Sequence, residues 1–153
     1  MTGKVEKERD ELSQSSLEKI SSGDAFAKLV GTELIEVRPG FARATLKITD
    51  HIVNVHQLAH GAAIFTLADL VCEAAGNSLG EPAVALQTSI HYLASGKSGD
   101  LLTATAKLID RSDSFGIIEF EVKNSEKRLL STGQQIVIFK SYSAPRPPSK
   151  NDP

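Results

Sequence analysis

Asn54-Val-His56-Gln57-Leu-Ala-His60-Gly61-Ala62-Ala-Ile-Phe65-Thr-Leu67-Ala-Asp69-Leu-Val-Cys72-Glu73-Ala-Ala75-Gly-Asn-Ser78 is the stretch that decides the fold. From Gly61 to Ala75 it is rich in Ala and Leu and lacks Pro, which predicts one helix. Ala62, Ala63, Ile64, Phe65, Leu67, Ala68, Leu70, Val71 and Cys72 cover most of its circumference, so the helix is expected to be buried. It is too short and too interrupted by charge to span a membrane.

Asp69 sits inside that apolar run. A buried carboxylate is costly unless something pairs with it or uses it. No Lys or Arg occurs between Lys47 and Lys97, while all four histidines (His51, His56, His60, His91) fall there. An acid in an apolar helix with no local cation is a candidate for chemistry, and a buried structural acid bonded to backbone or His is its plain alternative. His60-Gly61-Ala62 puts small residues at the helix start, where the first N–H groups lack internal partners and the dipole is positive. That end suits a developing negative charge. Asp69 lies eight residues on, about 12 Å along the same helix. One bound carbonyl does not reach both ends in one copy, whereas two antiparallel copies bring Gly61 of one near Asp69 of the other.

Working outward, 153 residues make one domain with enough chain for a core. With 17 basic and 19 acidic residues and no aromatic-plus-basic stripe, nothing points to nucleic acid. The lone cysteine, Cys72, reads as a small core residue, since no motif supports a nucleophile. The start lacks an apolar signal region and no membrane run follows, so the expected location is cytoplasmic, with no membrane partner. His56 and His60 invite a metal, but the segment before Gly61 reads as loop and no further ligands complete a set, so none is expected. Glu73, one turn after Asp69, either raises the pKa of Asp69 by like charge or reaches the surface.

Residues 1–10 read as a charged mobile segment, 11–142 as the single domain, and 143–153 as a Pro-rich disordered tail. Leu12, Leu17 and Ile20 predict an amphipathic helix, Asp24 caps a second short one, and Gly31 ends it. Residues 33–37 and 41–48 alternate around the Arg38-Pro39-Gly40 turn. Four further strand-like runs cover 83–93, 101–109, 115–124 and 129–139. Short-looped consecutive strands predict an antiparallel sheet, and one buried helix needs such a sheet around it, an α+β arrangement.

The run Asn54…His60-Gly61-Ala62…Leu67-Ala68-Asp69…Gly76-Asn77-Ser78, with Gly99-Asp100 leading a later strand, resembles the hotdog-fold acyl-CoA thioesterases of the PaaI type. Their pattern is Asn-x-x-Gly-x-x-His-Gly-Gly followed by a helix with Leu-x-Asp. The likeness covers about residues 30–140 in order of elements. It implies an antiparallel sheet wrapped around a central helix, preceded by N-terminal helices, in a homodimer with shared active sites and a homotetramer above it. It implies hydrolysis of acyl-CoA to free acid and CoA, with coenzyme A part of the substrate and no separate cofactor. By resemblance, Gly61 N–H polarises the thioester carbonyl, and Asp69 of the partner subunit is general base or nucleophile. Asn54 helps hold carbonyl or water, and His60 orients. Ala62, Phe65 and Leu86 are expected to contact substrate, with Leu67 also lining the acyl space. Lys97 and Arg111 are the nominated phosphate contacts, and Lys127 and Arg128 are further candidates.

Three departures stand out. Ala62 replaces the second Gly. Gln57 stands where the family usually has Gly. Ala85 and Leu86 occupy the region where some relatives place Ser or Thr to hold the water. The rival readings are a non-catalytic acyl-CoA-binding module and a hotdog hydratase or dehydratase.

Overall fold

The computed structural model describes residues 2–139, with side chains for residues 7, 8 and 11–139. The tail expected over 143–153 lies outside the described residues. Two helices, α1 (Thr2–Gly23) and α2 (Ala25–Val30), lead into strands β1 (Thr32–Arg38) and β2 (Phe41–Lys47). The central helix α3 (Gly61–Asn77) follows, then β3 (Ala83–Tyr92), β4 (Leu101–Arg111), β5 (Phe115–Lys123) and β6 (Leu129–Phe139). Helix α1 takes in residues 2–10 of the charged stretch that the sequence reading set apart as residues 1–10.

Local chemistry accounts for the boundaries. Asp24 accepts from Ala27 N–H at 2.8 Å and caps α2, and Gly31 closes it with φ of 91° in the left-handed region. Gly40, φ 70°, makes the β1–β2 turn. Strands β2, β4 and β5 turn alternate residues inward. Ala42, Ala44 and Leu46 of β2, Leu102, Ala104 and Ala106 of β4, and Ile118, Phe120 and Val122 of β5 are all buried against α3. Ala42 lies opposite Ala106 and Ala44 opposite Ala104. Those four small side chains let α3 sit close to the sheet through its own Ala63, Ala68, Ala74 and Ala75, which are also buried.

The sheet is six-stranded, antiparallel, in the order β1-β2-β4-β5-β6-β3. Consecutive short-looped strands would put β3 beside β4. Instead β3 pairs with β6 at the far edge, and β4 pairs with β2. Helix α3 carries the chain across the sheet, and the loop after β3 carries it back. That loop is pinned to the segment before α3 by Ala59 N–H to Gly96 O at 2.9 Å and by a bridge between Leu58 and Lys97.

Strand β3 runs antiparallel to α3 and close to it. A Cβ added at Gly76 would lie 2.9 Å from Ala83 Cβ, and one at Gly61 would lie 3.5 Å from the Tyr92 ring. A bulge falls between Ala85 and Gln87, with Leu86 the extra residue. It changes which residues of β3 face α3: Ala83 and Ala85 before it, Thr88, Ile90 and Tyr92 after it. Val84, Leu86 and Tyr92 of β3, and Leu93 just after it, are exposed.

Candidate active site

The helix start is built by its own cap. His60 is extended (φ −65°, ψ 135°), and its Nδ1 accepts from Ala62 N–H at 3.0 Å. That fixes Nε2 as the protonated nitrogen. Ala63 and Ile64 donate to His60 O at 3.0 and 3.2 Å. Gly61 N–H is left with no acceptor among the described residues. It is therefore the unspent donor at the positive end of α3.

Gly61 is not demanded by the fold. Its φ lies outside the left-handed region that favours glycine. An added Cβ would meet Tyr92 atoms at 3.5–3.6 Å, ordinary contact. Tyr92 Oη donates to Gly61 O at 3.1 Å and so pins β3 to the helix tip. A glycine that neither backbone torsion nor packing requires is a glycine that leaves room for something to approach.

The loop before the helix is tied by Asn54. Its Oδ1 accepts from His56 N–H at 2.9 Å and Leu58 N–H at 3.2 Å. Its N–H donates to Leu58 O at 2.7 Å, and its C=O accepts from Gln57 N–H at 2.9 Å. The β5–β6 turn repeats this arrangement. There Asn124 Oδ1 accepts from Glu126 and Arg128 N–H, at 3.1 and 3.0 Å. The left-handed residues match too, Gln57 at φ 59° and Lys127 at φ 62°. Asn54 is thus a turn-forming residue of a type seen twice among the described residues, and its Nδ2 has no acceptor among them. The departure at Gln57 also has a physical meaning, since the family's Gly is the residue that a positive φ favours.

Asp69 is half-buried and turned toward β3 and β6 rather than sealed in its own core. Its Oδ1 accepts from Gln135 Nε2 at 2.7 Å, and the same nitrogen donates to Thr88 Oγ1 at 3.0 Å. No Lys or Arg pairs with it among the described residues. Burial pushes its pKa up, the Gln135 amide pulls it partly back, and Asp24 adds to the upward push. Glu73 is raised likewise, by burial first and then by Asp24 and Asp69, with Lys19 opposing. Cys72 is fully buried, and burial pushes its thiol far above the usual range, which suits a packing role.

The remaining nominated residues divide. Ala62 is exposed beside the helix tip, and Phe65 is 37% and Leu86 57% exposed. All three are open to a ligand or a second chain. Leu67 is fully buried in the protomer core, so the expectation that it lines the acyl space is corrected. Its position faces the sheet, and an all-round apolar helix cannot reveal which face that is. Lys97, bridged to Leu58, is brought next to the Asn54 loop. Arg111 closes the opposite end of β4, where it pairs with Glu81 at 2.8 Å and stacks 4.1 Å over Phe139. One protomer does not bring Lys97 and Arg111 together.

Sequence reasoning missed Gln135 and Thr88. For Gln135 there was a signal, a long amide in the inward phase of an otherwise apolar strand with Val137 and Phe139. For Thr88 there was none, because the bulge at Leu86 sets which way it faces.

Comparison with known proteins places these features in context. Residues 56–131 match the Thioesterase superfamily model. The acyl-coenzyme A thioesterase PaaI of Escherichia coli is 37% identical over 108 residues, which cover 71% of this chain and 77% of that one. The E. coli PaaI structure, from the phenylacetic acid degradation operon, superposes with a TM-score of 0.83 at 30% identity, covering 86% of this chain and 95% of that chain. A hypothetical thioesterase protein of Streptococcus pneumoniae solved with coenzyme A gives a TM-score of 0.70 at 27% identity, covering 74% of this chain and 92% of that one. Among the described residues no helix is long and apolar enough to cross a membrane.

Proposed function

This chain belongs to the thioesterase superfamily and has the hotdog fold, and from that premise we propose that it hydrolyses acyl-CoA thioesters at sites shared between two subunits. The observation that carries the reading is the unspent Gly61 N–H, at a glycine that the fold does not need. The relatives support the substrate class: the E. coli protein is an acyl-CoA thioesterase, and the streptococcal one was solved with coenzyme A.

In this reading the thioester carbonyl sits at the tip of α3, where Gly61 N–H and the helix dipole stabilise the oxyanion. Removing one such donor in an enzyme costs about 10²–10³ in kcat. Asp69 arrives from the partner subunit. As general base it takes a proton from water, the water oxygen adds to the carbonyl, and the CoA thiolate leaves with the proton returned. As nucleophile it displaces the thiolate, and water then cleaves the mixed anhydride. The raised pKa of Asp69 favours a carboxylate that can accept a proton. His60 orients the tip through its cap, and Asn54 offers Nδ2 to the carbonyl or the water. Ala62, Phe65 and Leu86 meet the acyl group. Lys97 is the better placed contact for the CoA phosphates, since Arg111 is already held by Glu81 and Phe139.

The second subunit has a physical motive. An edge strand with exposed apolar side chains is an invitation to pairing, and β3 has Leu86 57% and Tyr92 52% exposed. A homotetramer and a cytoplasmic location belong to the same proposal, and sedimentation would count the copies.

The test is a thiol-release assay over a panel of acyl-CoAs, with Asp69→Ala alongside. Native protein should release CoA, and Asp69→Ala should lose about 10²-fold or more while still binding ligand. Ligand binding by native protein with no CoA released above background would leave the non-catalytic module standing instead.

A further inference from the structure

Resting on that reading, we propose that α2 sets the acyl length this protein accepts. Its Phe26 and Val30 wall a small cavity beside the helix tip, which takes acyl groups of up to about six or seven carbons, as a chain or a single ring, and excludes long chains.

The cavity holds about 200 Å³ and lies where α2, the segment before α3 and the first turns of α3 meet. Val30, Val53 and Ala63 are half-buried or buried and form its floor, while Phe26, His60 and Ala62 stand exposed around its mouth. His60 and Ala62 flank Gly61 in the chain, so the mouth opens beside the N–H that receives the carbonyl. An acyl chain hangs from that carbonyl carbon, which puts this apolar space within reach of its first carbons. A wider groove of about 540 Å³ crosses the other face of the sheet, but charged residues such as Lys107, Glu119 and Glu121 line it, and none of α3 does.

The lining offers little to a polar group. Thr66 spends its hydroxyl on Ala62 O at 2.8 Å, and His60 spends Nδ1 on Ala62 N–H at 3.0 Å. Apart from His51 at the exposed rim, the other lining side chains are hydrocarbon. Size then decides what fits. A cavity of about 150 Å³ between Leu, Ile and Phe side chains holds a benzene. The space here therefore takes one ring with its linking carbon, or a chain of similar bulk. Each CH₂ buried is worth roughly fourfold in binding, so affinity should climb with chain length until the cavity is full. The next carbons meet α2. That helix is anchored, with Ala27 only 4% exposed, Asp24 capping one end and Gly31 closing the other. Phe26 is 61% exposed and adds little to the protomer core, so its ring is left at the mouth for a ligand to meet.

The test measures kcat/KM over straight-chain acyl-CoAs from acetyl to palmitoyl for native protein, Phe26→Ala and Val30→Phe. Calorimetry measures binding of the same esters to each of the three carrying Asp69→Ala. Both profiles should peak near hexanoyl and fall by about tenfold or more by dodecanoyl. Phe26→Ala should open the mouth and raise the dodecanoyl-to-hexanoyl ratio by about tenfold, and Val30→Phe should fill the floor and move the peak toward acetyl. A purely structural Phe26 would scale every ester alike and leave that ratio unchanged. If Val30→Phe does not fold, Phe26→Ala decides alone. The inference is overturned if palmitoyl-CoA serves as well as hexanoyl-CoA, or if Phe26→Ala keeps the ratio within about twofold of native in both turnover and binding. Binding without CoA release from any ester sinks the hydrolase reading instead, and the binding profile then judges the cavity by itself. Failure to bind any ester overturns both.

Discussion

Replacing Gly61 with Ala separates a glycine kept for the fold from one kept for a ligand. The backbone there is outside the left-handed region, so Ala adds no torsional strain. The new methyl would lie 3.5 Å from Tyr92 Cζ and 3.6 Å from Cε1 and Oη, contact that needs no shift. Ala is better than Gly within a helix by roughly 0.5–1 kcal/mol, and less than that at the first position. Thermal melting should therefore be unchanged or rise by about 1–4 °C. Turnover should move the other way. The methyl fills the gap between the helix tip and the Tyr92 ring, beside the Gly61 N–H that has no acceptor among the described residues. Blocking a carbonyl from a preorganised donor costs about 10²–10³ in kcat, or roughly 3–4 kcal/mol of transition-state stabilisation. Paired melts and thiol-release kinetics on the same preparation measure both. Turnover within about twofold of native would refute Gly61 N–H as the carbonyl's donor. A fall in melting temperature of more than about 5 °C would show the glycine to be structural, and the inference from spare glycine to ligand would collapse.

Asp69→Asn should stabilise the protein at neutral pH while stopping turnover. The folded-state pKa of Asp69 is raised, so the folded protein holds that proton more readily than the unfolded chain. The penalty for ionisation grows as pH rises from the ordinary carboxylate range through the raised value, and it is absent below roughly pH 4. Melts across pH should show the variant above native near neutrality and the two converging in acid; native matching the variant at pH 7 contradicts the burial argument. Gln57→Gly should raise the melting temperature by about 2–4 °C, since it relieves roughly 1 kcal/mol of left-handed strain at φ 59°. Lys127→Gly in the matching Asn124 turn should behave alike, and destabilisation by both would show that the shared turn does not carry the strain assigned to it.

Much of the architecture is legible locally. The Asp24 cap, the Gly31 stop, the Pro39-Gly40 turn and the all-round apolar run of α3 each depend on residues within one or two turns of one another. So does the helix start at His60-Gly61, which is why half of the candidate site could be read without coordinates. The inward phase of β2, β4 and β5 follows from simple alternation. Sequence by itself therefore determined the elements, the burial phase of β2, β4 and β5, and two of the residues proposed for the site, because backbone torsion and side-chain periodicity are short-range properties.

Tertiary structure alone decided who meets whom. It set β3 beside β6 instead of β4, and it turned Thr88 inward by one extra residue at Leu86. It joined Asp69 to a glutamine 66 positions away, and it parted Lys97 from Arg111. Register and bulges reflect small differences among alternative strand pairings, summed over contacts far apart in the chain. Such differences leave no mark on any short stretch, so the hydrogen bonds of Asp69 become visible only when the whole sheet has closed around α3.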